Sequence, residues 1–150
     1  MTRKTMANAK FSLREAQLYR LLAALFSEDR VIPYMSLAAV LGEQQMDAET
    51  VVWCKQQSCL FTIVSTEGEP KFVLDFAAVE GETIDPLRVD LHRRGKEILQ
   101  KYGIYFFALS EVDFESILLV GNGYTLVHYF NEQFAKLGID LEIDQDSQNE

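Results

Sequence analysis

Few residues of this 150-residue chain have both the type and the spacing to do chemistry. Asp75 is the most demanding of them. In the run Lys71-Phe72-Val73-Leu74-Asp75-Phe76-Ala77, the residues Phe72, Leu74 and Phe76 fall on one face of a strand, and Val73, Asp75 and Ala77 on the other. A carboxylate between Val73 and Ala77 is costly to bury unless it is paired or hydrogen-bonded. It therefore serves either a site or an internal partner, such as an arginine or a helix N-terminus. Glu15 has two uses as well. It ends the box Ser12-Leu13-Arg14-Glu15, whose Ser-x-x-Glu form closes a helix start on itself, and it is also a carboxylate free to act as a ligand. Arg88, His92 and Lys96 stand at i, i+4 and i+8, one stripe of a helix. The stretch 86–102 carries Arg88, Arg93, Arg94, Lys96 and Lys101, five of the eleven basic residues between positions 12 and 139, so the stripe is a local basic excess. It can contact phosphates, or it is a solvated face neutralised by neighbouring acids.

Several chemistries are excluded. Cys54, Cys59, His92 and His128 match no zinc spacing. No serine sits in a nucleophile elbow and no cysteine pairs convincingly with a histidine, which leaves no covalent catalyst. Gly121-Asn122-Gly123 reads as a turn, because a phosphate loop needs a preceding strand and a following Lys-Ser/Thr. The net charge of −9 argues against broad, non-specific nucleic-acid binding but leaves room for a local basic patch. With two cysteines, no signal-peptide pattern and no apolar run near the roughly 18 residues of a membrane span, the sequence reads as a cytoplasmic protein with reduced thiols.

The elements that must position these residues follow from periodicity. Leu18, Leu21, Leu22, Leu25 and Phe26 give the capped segment an apolar stripe, which predicts a helix over 13–26. Val31 to Met35 is extended, and Pro33 confines it to an edge. A short helix over 36–41 ends at Gly42, and Asp47 caps another that carries Trp53. Residues 59–64 and 71–77 flank a turn with Gly68 and Pro70 and form an antiparallel hairpin. Asp85 and Pro86 open a helix that Gly103 closes, and the aromatic run 104–109 reads as a strand buried on both faces. Helices over 112–120 and 124–137 complete one α/β domain spanning 12–139. A basic leader, 1–11, precedes it with charge +3, and an acidic tail, 140–150, follows with charge −5 and too little apolar surface to pack.

This order resembles the PD-(D/E)xK restriction-endonuclease-like superfamily, and within it an uncharacterised bacterial branch of unknown function. Leu13-Arg14-Glu15-Ala16-Gln17-Leu18-Tyr19 and Val31-Ile32-Pro33 are similar to that branch's opening, and the stretch from Lys96 to Ile104 to its helix-to-strand exit. The resemblance covers roughly residues 12–110. It implies a central mixed sheet flanked by helices and Mg²⁺ held by converging acidic oxygens, since the metal must polarise a phosphodiester and help generate hydroxide. Glu15 and Asp75 would be the metal ligands. Glu80, or Glu82, would migrate into the third catalytic role. The branch's first-strand acid falls on Leu60, however, and the polar position two residues after Asp75 is Ala77.

Three functional classes follow. The first expectation is a catalytically degenerate nuclease-like domain that binds nucleic acid or a nucleic-acid-processing partner through Arg88, His92 and Lys96. A protein-interaction domain without a nucleic-acid role comes second. A divergent Mg²⁺-dependent nuclease using Glu15, Asp75 and Glu80 comes last.

Overall fold

The computed structural model describes residues 12–42, 44–80, 83–120 and 123–138. The leader 1–11, the tail 140–150, Glu82 and the Gly121-Asn122 part of the expected turn lie outside the described residues, as does the side chain of Glu80.

Helix α1 (Leu13–Phe26) begins where the capping box places it. Glu15 N donates to Ser12 Oγ at 3.3 Å and Ser12 N donates to Glu15 Oε1 at 3.0 Å, so two otherwise orphaned donors are satisfied. Strand β1 (Val31–Ser36) leads into α2 (Leu37–Leu41), capped by the Ser36 hydroxyl. Helix α3 (Ala48–Lys55) is capped by Asp47, whose Oδ1 accepts from Thr50 N at 2.8 Å. The hairpin of β2 (Ser58–Val64) and β3 (Pro70–Phe76) pairs Phe61 with Leu74 and Ile63 with Phe72, with an irregularity at Val64. A two-stranded ribbon, β4 (Val79–Glu80) with β5 (Thr83–Ile84), was not legible in the sequence because strands of two residues carry no periodicity.

The helix over 86–101 is continuous but not uniform. It runs as α4 (Pro86–Asp90), a π turn over Leu91–Gly95, and α5 (Lys96–Lys101). Gly95 lies at the crowded end of that turn, where an added Cβ would stand 2.8 Å from Leu91 Cδ1. Strand β6 (Tyr105–Leu109) then returns parallel to β3, with Asp75 opposite Ala108. Helices α6 (Glu111–Val120) and α7 (Gly123–Lys136) close the described chain.

The result is an α/β fold with a four-stranded mixed sheet in the order β1-β2-β3-β6, flanked by helices. On one face α1, α6 and α7 bury Leu18, Leu22, Ile117, Phe130 and Phe134 against Phe61, Phe72, Leu74 and Phe107. On the other, α2, α3 and helix 86–101 bury Leu37, Leu41, Leu91 and Leu99 against Val73 and Phe106. Strand β6 is therefore covered on both faces at Phe106 and Phe107, but not along its length, since Ala108 is exposed. No helix among the described residues is long and apolar enough to cross a membrane.

Phe130 is fully buried and its ring lies 5.0 Å from that of Phe72 and 5.9 Å from that of Phe26. Phe130→Ala should therefore lower the unfolding free energy by about 3–5 kcal/mol. Leu119, 88% exposed on α6, should change it by less than about 0.5 kcal/mol when replaced by Ala. Urea unfolding of the two variants compares them directly, and equal losses would contradict this packing.

Candidate functional site

Asp75 is the last core position but one of β3, and its partners come from the helix that crosses back to β6. It is 3% exposed. Its Oδ1 accepts from Phe76 N at 2.8 Å. Its Oδ2 is ion-paired with the Arg88 guanidinium and lies 3.0 Å from His92 Nε2. Arg88 also donates to Ser58 O at 3.2 Å, which ties α4 to the start of β2 as well as to β3. The His92 ring stands edge-on to Phe106, with centroids 4.9 Å apart. Two of the three residues of the expected basic stripe thus turn inward to one buried carboxylate. Lys96 does not join them. It follows the π turn, where each residue is set about one position out of phase with an α-helix, so the i, i+4, i+8 spacing no longer makes one stripe. Lys96 is exposed.

Around Asp75 opens a pocket of about 600 Å³. Glu15, Asp75, Ala77 and Arg88 all line it, so the structure brings the two sequence-predicted carboxylates to one cavity. Leu60 lines it too. Continuing the Phe61–Leu74 register by one residue sets Leu60 opposite Asp75, the place where the resemblance required an acid. The lining also includes Arg14, Tyr34, Asp85 and Glu111, which the sequence did not mark as site residues. Arg14 reaches over the Phe76 ring at 3.9 Å and pairs with Glu111 at 2.9 Å, a contact between residues 97 positions apart that no local pattern signals. Tyr34 has φ +59, a left-handed conformation that is uncommon for a bulky residue. Its hydroxyl donates to Glu15 Oε1 at 2.8 Å. Pro33 just before it was the available clue to an irregular edge.

These carboxylates do not fit a divalent cation. Both Asp75 oxygens are taken by protein donors, and Glu15 Oε1 accepts from Ser12 N and from Tyr34. Mg²⁺ asks for oxygen ligands in near-octahedral array, and a guanidinium on the principal ligand already neutralises it. Among the described residues no three His, Cys, Asp or Glu side chains are grouped so as to hold a metal. Glu80, the third expected acid, has its side chain outside the described residues.

No family model matches the chain, and neither does any curated protein or solved structure. The site must be read from its own geometry.

Burial, then the bond to Glu15, pushes the Tyr34 hydroxyl up to about 12. A folded value above the unfolded one means that the native state holds its proton more tightly. The contribution to stability is complete below pH 10 and is lost as pH rises from about 10 to about 12. Wild-type protein should therefore lose stability across that window, and Tyr34→Phe should lose less, as followed by thermal melts in steps of pH.

Burial, with Asp75 next, also pushes the Cys59 thiol up to about 12. A second expectation concerns the ion pair. Arg88→Ala strands a buried carboxylate and should cost about 3–5 kcal/mol, whereas Arg93→Ala removes an exposed pair with Asp90 worth about 0–1 kcal/mol. Chemical denaturation would expose the contrast, and similar losses would mean that Asp75 does not depend on Arg88.

Proposed function

We propose that this chain is a catalytically degenerate nuclease-like domain that works in the cytoplasm by binding, with a nucleic-acid-processing protein as its partner. The closure of Asp75 by Arg88, His92 and the Phe76 amide carries the reading. A nuclease of the resembled kind needs that carboxylate open to metal. Here it holds a helix to a strand instead, and Leu60 and Ala77 supply no substitute beside it.

The choice of partner rests on charge. The pocket is lined by four carboxylates, Glu15, Asp75, Asp85 and Glu111, against two guanidiniums, Arg14 and Arg88. Both guanidiniums already face carboxylates within the domain. A phosphate backbone seeks an excess of positive charge, which this lining does not offer. Both cysteines are free thiols in the core, in keeping with a reducing compartment.

Purified protein incubated with single- and double-stranded DNA and RNA in Mg²⁺ or Mn²⁺ should cleave none of them. Metal-dependent cleavage that disappears in Asp75→Ala would overturn the proposal. The partner class is tested separately by fluorescence anisotropy with labelled oligonucleotides at about 0.15 M salt. No binding is expected. Salt-sensitive binding weakened by Arg93→Glu with Lys96→Glu would make nucleic acid the partner.

A further inference from the structure

Exposed apolar side chains are ordinary on a protein surface when they are scattered singly, and informative when they gather. Here they gather. Of the eight large apolar side chains exposed among the described residues, Tyr34 lines the pocket around Asp75, and Leu13, Val79, Ile84 and Val112 are each the chain neighbour of a residue that lines it. Leu13 lies between Ser12 and Arg14, Val79 follows Ala78, Ile84 precedes Asp85 and Val112 follows Glu111. Three contacts hold these stretches together. Val79 and Ile84 stand opposite each other in the ribbon of β4 and β5, so their side chains share a face. Asp85 N donates to Ala78 O at 2.7 Å and ties the ribbon's return to the end of β3. The pair of Arg14 with Glu111 joins the start of α1 to the start of α6.

Inside this apolar border the pocket is charged. Arg14 and Arg88 are met by Glu111 and Asp75, and the lining still holds two carboxylates more than guanidiniums. Glu15 is half-buried, and the donors to its Oε1 are neutral, the Ser12 amide and the Tyr34 hydroxyl. A half-buried carboxylate attracts a cation more strongly than one in open water, because the local dielectric is lower. Leu60, Ala77 and Ala78 supply an apolar wall to the same pocket. An aliphatic stem that ends in a positive charge matches both features, with its methylenes on the wall and its head at the carboxylates. The volume, about 600 Å³, admits such a side chain with part of the backbone that carries it.

We infer, on the reading of the chain as a protein-binding domain, that this pocket is the docking site for an arginine or lysine of the partner protein, set between apolar residues that cover Leu13, Val79, Ile84 and Val112. A nucleic-acid-processing partner offers such segments, since its own substrate demands basic residues.

The probe is a fluorescein-labelled nine-residue peptide with one central arginine between pairs of leucines, followed by anisotropy on the full chain at about 0.15 M salt. It should bind, and the same peptide with citrulline in place of arginine should bind at least about tenfold more weakly. Glu15→Gln with Asp85→Asn should cause a similar loss and leave Tm unchanged, because glutamine keeps the capping box and asparagine keeps a capping oxygen at the start of α4. Ile84→Ser with Val112→Ser, both exposed, should also weaken binding without lowering Tm. Equal affinity for the arginine and citrulline peptides would overturn the inference, and so would an affinity that either double variant leaves unchanged. If neither the peptide nor labelled oligonucleotides bind, the docking site alone is overturned; if only the oligonucleotides bind, the protein-binding reading falls with it. Tighter peptide binding after Arg3→Gln, Lys4→Gln and Lys10→Gln would assign the pocket to the chain's own leader, and a dimer in sedimentation that the peptide dissociates would assign it to a second copy. Either result overturns the inference.

Discussion

The ion pair between Asp75 and Arg88 is the constraint around which the domain is arranged. Asp75 stands near the end of a strand that is otherwise aromatic and aliphatic, so its charge must be met inside the protein. Meeting it draws helix 86–101 against β2 and β3 and sets where the crossover to β6 begins. The π turn follows from the same demand. Arg88 and His92 both reach one oxygen, while Leu99 further along must still pack with Val73 and Phe106. A π turn between them re-phases the helix so that both conditions hold, and Gly95 gives the extra turn room beside Leu91.

The pocket is the surface counterpart of that arrangement. Its lining joins the start of α1, the kinked edge at Tyr34, the end of β3 and the starts of α4 and α6. Within it Arg88 is met by Asp75, Arg14 by Glu111, and Glu15 by a tyrosine hydroxyl and its own helix cap. The lining carboxylates are thereby part of what holds the fold together. Catalysis by a metal requires carboxylates held open against their own repulsion, whereas here they are spent on holding elements together.

Much of the fold was legible because local chemistry and tertiary packing agree. The Ser12–Glu15 box, the Asp47 cap, the Pro86 start and the hairpin across Gly68 are local devices whose effect lies within a few residues. The ribbon at Val79 and the π turn were hidden, the first because it is too short for a period and the second because helical spacing looks alike with or without an extra residue per turn.

By itself, the sequence determined the alternation that places Asp75 on the opposite face from Phe72, Leu74 and Phe76, and with it the need for a partner. It also determined that the positions flanking that carboxylate on the hairpin, Leu60 and Ala77, are apolar. Only the tertiary structure decided who that partner is. Arg88 is thirteen residues away and His92 seventeen, and both could as well have faced solvent as a phosphate-binding stripe. The choice rests on the free energy of burying a charge, which depends on what the folded chain packs around it and not on spacing along a helix.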